Sequence, residues 1–413
     1  MPAVIFLDHS VEMAERPPLA LEPITALRAA LAYQGLDVDL DTLRALSGEA
    51  WAPLLHVNAS IREPVLHLQP LDCLTRACDA LSVESAWHTE LSAEEVIALT
   101  SEEIGAQRPV LVSFLHRPIE DPGWNLLIGV EPEGRRLQLH DVRLARQRRV
   151  VPIERLWSGP VPGPQRWVDT PLFTADVTAA STVPDALQCL TRAVEGWAAQ
   201  ADVASLELPS HRGARSFGRD DPAGLVATVG PEAARHLGDE IWNVDSLDDF
   251  GVLWRARSLL PQFAGRRDAA ARFLRGLHIS DPQIAAQCEE AADALATTAV
   301  TARVASALMW DTSLSNITVA GDLLDRVKVD PALVVDIEEM PAHERRLLAE
   351  SIERFPQAYT MRIHSTPWGA ALTVDSPAQR DRILELLETL ADQMEAADAE
   401  LATLAQMLGV NTD

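Results

Sequence analysis

The chain has 413 residues, 47% of them hydrophobic and 23% charged, which is ordinary globular composition and excludes wholesale disorder. Its 35 Lys and Arg stand against 61 Asp and Glu, a formal net charge of −26; such a surface repels nucleic acid and anionic lipid, which are held by clustered cations. The sequence has no apolar run of about 18 residues, so no membrane-spanning helix is expected, and its four cysteines are too few for a disulfide scaffold and fit a reducing, cytoplasmic setting.

The opening MPAVIFLDHSVEMAERPP lacks a basic region before its short apolar stretch, so it does not read as a secretory signal. Residues 23–34, PITALRAALAYQ, place Ile24, Leu27, Leu31 and Tyr33 at helical spacing, with Pro23 suited to the first position and Gly35 to the stop. A second short helix is predicted over Asp41 to Leu46, closed by Ser47-Gly48. Residues 70–81 form an amphipathic helix with Leu71, Leu74, Cys78 and Leu81 on one face. Residues 92–104 begin with Ser92 and carry Glu95 three positions on, the signature of a capping box. Residues 109–115 and 124–130 are apolar runs of strand length, and 135–141 alternates as a half-buried strand does. The EPEG turn at 131–134 makes the last two an antiparallel hairpin.

The pattern changes near residue 175. Helices are predicted over 184–201, 231–240, 246–259, 265–277, 282–308, 319–327, 341–354 and 376–409, with a loop or short strand in HSTPWGAALTV. In the last helix Ile383, Leu386, Leu387, Leu390, Met394, Leu401, Leu404 and Leu408 follow 3-and-4 spacing, as in a bundle or coiled coil. A homodimer through this helix is one reading of that stripe. Two domains are expected at about 100–200 residues each, over 1–175 and 176–413.

Reactive groups are scarce. Lys328 is the one lysine, and DRVKVD around it has no glycine-rich loop, so phosphate-loop and Schiff-base chemistry have no support. There is no CxxC, HxxxH or HExxH, and no GxGxxG follows a strand, so neither a metal nor a dinucleotide cofactor is expected. Cys73, Cys78, Cys189 and Cys288 sit within helical patterns, where cysteine behaves as a small hydrophobe. The ARQRR cluster at 145–149 and the acidic GRDDPAG loop at 218–224 read as solvated segments. Trp51, Trp87, Trp124, Trp157 and Trp167 all fall before residue 175, where they fill a core or line a cleft.

Thr25-Ala26-Leu27, Tyr33-x-Gly35, LRALSGEAW at 43–51, GWNLLIGVEPEGRRLQLHDV at 123–142 and GRRDAAARFLRGL at 265–277 together resemble a known family. It is the butirosin-biosynthesis acyltransferase family, whose N-terminal domain is related to the bacteriocin-processing papain-like cysteine peptidases. The resemblance implies an α+β fold: a papain-like N-terminal domain of helix plus antiparallel sheet, then a mostly α-helical C-terminal domain. It implies a cysteine at the start of the first helix, a histidine at the start of a strand and an Asp on the next strand. Those positions hold Glu22, Trp124 and Asp141. A carboxylate at a helix start is a weak nucleophile, and an indole can donate a hydrogen bond but cannot shuttle protons.

With sulfur and imidazole replaced, the expected function is a degenerate, non-catalytic papain-like protein of a bacterial specialised-metabolite pathway, a binding or scaffolding partner for a small-molecule or acyl-carrier-linked ligand. Its ligand cleft would be lined by Glu22, Trp51, Trp124 and Asp141. The alternative is an acyltransferase, or an amide- or thioester-processing hydrolase, that uses cleft carboxylates in place of the cysteine. The candidate catalytic residues are then Glu22, His116 and Asp141, with His116 placed by LHRPIEDPGW to work beside Asp121 or Asp141.

Overall fold

The computed structural model describes residues 5–7, 23–57, 72–88, 91–114, 123–133, 135–141, 148–153, 172–177, 181–201, 205–207, 226–243, 250–309, 360–366, 369–375 and 377–411. Within these the fold is α+β, an antiparallel sheet with helices on both faces and then a mostly helical region. The helices predicted over 319–327 and 341–354 lie outside the described residues.

The first helix, α1 (Pro23–Tyr33), is buried along most of its surface because alanines at 26, 29 and 30 separate its larger side chains. It stops at Gly35, which has φ +91°, a left-handed conformation that costs glycine nothing. Helix α2 (Leu40–Leu46) starts where Asp39 accepts a hydrogen bond from Thr42 N at 2.8 Å. A 3-10 turn over Glu49–Trp51 follows it. Helix α3 (Asp72–Ala80) buries Leu74 and Cys78, and α4 (Ala93–Gly105) carries both hydrogen bonds of the Ser92–Glu95 capping box.

Seven strands make the main sheet: β1 (Ile5–Phe6), β3 (Glu84–His88), β4 (Val110–Phe114), β5 (Gly123–Glu131), β6 (Arg136–Asp141), β7 (Arg148–Pro152) and β8 (Leu172–Asp176). Their order is β3-β8-β4-β5-β6-β7, with β1 paired to β5 beyond the end of β4. The predicted hairpin is β5–β6, in register from Asn125↔Asp141 to Glu131↔Arg136. A register shift between Leu127 and Gly129 lets Ile128 join one face of the sheet and Val130 the other.

Helix α1 covers the face that carries Leu111, Leu126, Ile128 and Phe173, and α4 covers the face that carries Val110, Val112, Leu127 and Leu139. A smaller sheet runs β2 (Leu55–Val57), β10 (Val226–Val229), β9 (Ser205–Glu207), so a strand from before residue 175 pairs with one from beyond it. The described residues of the HSTPWGAALTV stretch belong to two antiparallel strands, β11 (Thr360–Thr366) and β12 (Gly369–Asp375).

The helical region comprises α5 (Ala186–Ala201), α6 (Pro231–Asn243), α7 (Phe250–Gly276), α8 (Pro282–Met309) and α9 (Pro377–Leu408). The helices predicted over 246–259 and 265–277 are one continuous helix, α7, that runs through Pro261. Proline removes one backbone donor. Here it lies on the exposed side of α7, while Leu260, Phe263 and Ala264 anchor the opposite side in the core. In α9 Ile383, Leu386, Leu387, Leu390, Met394, Leu401 and Leu404 are buried in the core clusters of this chain. Leu408, the last residue of that stripe, is partly buried against the same core. No helix among the described residues is long and apolar enough to cross a membrane.

Candidate functional site

The first turn of α1, Pro23-Ile24-Thr25, is buried, and the helix packs on β4, β5 and β8. Glu22 and His116 lie outside the described residues, so their contacts are not part of the site described below. Positions 124 and 141 are described through their strands. Asp141 pairs directly with Asn125, and residues directly opposite on antiparallel strands share a face. Leu127 and Leu139 continue that row on the α4 side, whereas Leu126 belongs to the α1 side. Alternation along β5 sets position 124 with Leu126. Positions 124 and 141 therefore fall on opposite faces of the sheet.

The position of β6 that shares the α1 face with 124 is 140. His140 pairs with Leu126 and is 6% exposed. The resemblance aligned Asp141 on the dipeptide His140-Asp141, and the register selects the neighbouring imidazole for that face. A strand's parity decides this, and the sequence pattern alone does not display it.

Trp51 is 1% exposed, donates its indole N–H to Ala45 O at 3.0 Å and meets Phe273 of α7 edge-on, with ring centroids 6.3 Å apart. Its one polar atom is taken by the backbone, so it serves as core and not as a cleft wall. Trp87 behaves similarly, donating to Thr75 Oγ1 at 3.1 Å beside Phe173.

All four thiols are buried. Desolvation raises the pKa of Cys73 far above the thiol range, with Glu49 adding to the effect, and pushes Cys78 up to about 12. Burial likewise takes Cys288 up to about 11 and raises Cys189, whose Sγ donates to Pro184 O at 3.4 Å. Thiolate is the nucleophilic form of cysteine, and burial disfavours it at all four positions.

A buried cation and a half-buried carboxylate lie elsewhere. Arg267 on α7 is 5% exposed, donates to Ala50 O at 3.3 Å and sits over the Phe263 ring at 4.7 Å. Burial lowers its pKa to about 10, partly offset by the charge of Asp398. Asp398 on α9 accepts from Trp197 Nε1 of α5 at 3.2 Å. Desolvation raises its pKa, against the pull of Arg267 and Trp197. Sequence reading passed over this group, although a signal was present. Arg267 stands at helical spacing between Phe263 and Leu274, and Asp398 between Met394 and Leu401, so each is a charge inside an apolar stripe.

Among the described residues no group of three or more His, Cys, Asp or Glu is arranged to hold a metal. Comparison with protein-family models, with curated proteins and with solved structures finds no match to this chain.

Proposed function

We propose that this chain is a papain-like scaffold that has lost cysteine chemistry and acts as a binding or scaffolding protein in a bacterial specialised-metabolite pathway. The papain-like assignment rests on the sequence resemblance, and the helix-on-antiparallel-sheet arrangement supports it. One observation carries the non-catalytic reading: all four cysteine thiols are buried, which disfavours their ionised form, and α1 opens on Pro-Ile-Thr. A cleft lined by both Trp124 and Asp141 gains no support from the sheet, because its register sets positions 124 and 141 on opposite faces. The expected ligand is a small molecule or an acyl group on a carrier protein, bound without turnover.

The test incubates the full chain with acyl-carrier-protein thioesters and amine acceptors, with intact-mass detection. The expected result is a mass unchanged by acylation, no amide product above buffer, and saturable binding of the carrier in a separate titration. A covalent acyl adduct on any cysteine, or product formation abolished by a single Cys→Ser change, overturns the reading.

A further inference from the structure

The LRALSGEAW segment, Leu43 to Trp51, plays no part in the proposed function, and its surroundings give it a different one. Ser47 Oγ donates to Arg44 O at 2.8 Å and accepts from Glu49 N at 3.1 Å, which turns the chain out of α2. Gly48 in this turn has φ +82°, a region disfavoured for residues with a Cβ. Its carbonyl accepts from Gln200 Nε2 of α5 at 3.1 Å, and the same nitrogen donates to Gly196 O at 2.7 Å. A Cβ on Gly196 would lie 3.6 Å from Gly48 Cα, so the two backbones approach closely. Helix α7 holds the next residues, through Arg267 on the Ala50 carbonyl and Phe273 against the Trp51 ring. Arg272 closes the rim with two hydrogen bonds to Asp41, each 2.7 Å. Beyond Trp51 the chain enters β2, whose partner strand is β10.

We infer that residues 41–51 are an internal docking surface, recognised by α5 and α7 of the same chain, and that this interlock joins the sheet-bearing half and the helical half into one cooperative folding unit. The recognition chemistry is two backbone carbonyls each met by a side-chain donor, an indole wedged against a phenyl ring, and a carboxylate held by a guanidinium. Nothing in it depends on the proposed function.

The experiment is native-state hydrogen exchange on the full chain and its Gly48→Ala variant, followed at β5–β6 and at α8–α9. The added methyl takes a strained backbone conformation and meets Gln200 Nε2 at 3.0 Å and Arg76 Nη1 at 3.1 Å. Protection is expected to fall by one common factor in both regions, roughly ten- to a hundredfold. Gln200→Ala leaves the Gly48 backbone alone and is expected to give a smaller common factor. Wild-type protection of α8–α9 alongside loosened β5–β6, in either variant, overturns the interlock, as does a Gly48→Ala protein unchanged in both regions. If Gly48→Ala does not accumulate as folded protein, Gln200→Ala decides the question by the same criterion.

Discussion

The two faces of the main sheet are closed in different ways. On the α4 side an aliphatic cluster is complete within the sheet and a single helix, built from Val96, Val110, Leu127, Leu139 and their neighbours. On the α1 side the buried surface runs on without a break into α5, α7, α8 and α9. The first face is closed by residues that lie close in sequence. The second is closed only when residues some two hundred positions away arrive, and buried charges come with them. Local closure is cheap in chain entropy, whereas distant closure couples regions that a sequence pattern would separate.

Several substitutions would sharpen or break that contrast. The largest effect is expected from Trp51→Ala, which opens a cavity where α2 meets α7 and costs about 3–5 kcal/mol. Urea unfolding followed by far-UV and near-UV dichroism should show both signals moving to the same lower midpoint. Separate midpoints would mean that the α1 face does not couple the halves. Leu139→Ala on the α4 face should cost about 2–4 kcal/mol. Hydrogen exchange should show protection falling by a common factor at β5–β7 and at α8–α9.

A smaller effect is expected at the half-buried Asp398. Trp197→Phe removes the donor to Asp398 and should cost about 1–3 kcal/mol in the same denaturation assay. Asp398 also carries a pH signature. Its folded pKa lies above its ordinary value, so the unfolded carboxyl ionises first as pH rises from near 3.9. Stability from this group is therefore present below that pH and is lost up to the raised folded value. Asp398→Asn should abolish this component, so wild type loses ground to the variant as pH increases through that window. A difference between the two proteins that is independent of pH would refute the raised pKa. The smallest change is Ser92→Ala at the start of α4, expected to cost about 0.5–2 kcal/mol in the same denaturation assay.

Much of the fold was legible before the structure. Helices α1, α2, α3, α4, α5, α6, α8 and α9 fall within a few residues of their expected bounds, because caps, stops and 3-and-4 spacing act locally. The β5–β6 hairpin was legible for the same reason. Strands β3 and β8 were not, because each is short and finds partners far away: Glu84–His88 pairs with Leu172–Asp176. The break expected in α7 failed because packing of Leu260, Phe263 and Ala264 outweighed the local cost of Pro261. Of the proposed site, the sequence supplied the identities at 22, 124 and 141. It did not supply the parity that sets 124 with His140 instead of Asp141, nor the burial that makes Trp51 core.

The sequence by itself determined where most helices begin and end, which turn joins β5 to β6, and that no sulfur stands at the head of α1, because these follow from residues a few positions apart. Only the tertiary structure decided which side of the sheet each strand residue occupies, that a single core crosses residue 175, and that Arg267 is buried beside it. Those outcomes depend on strand register and on contacts between distant segments, whose energies appear only once the chain has closed on itself.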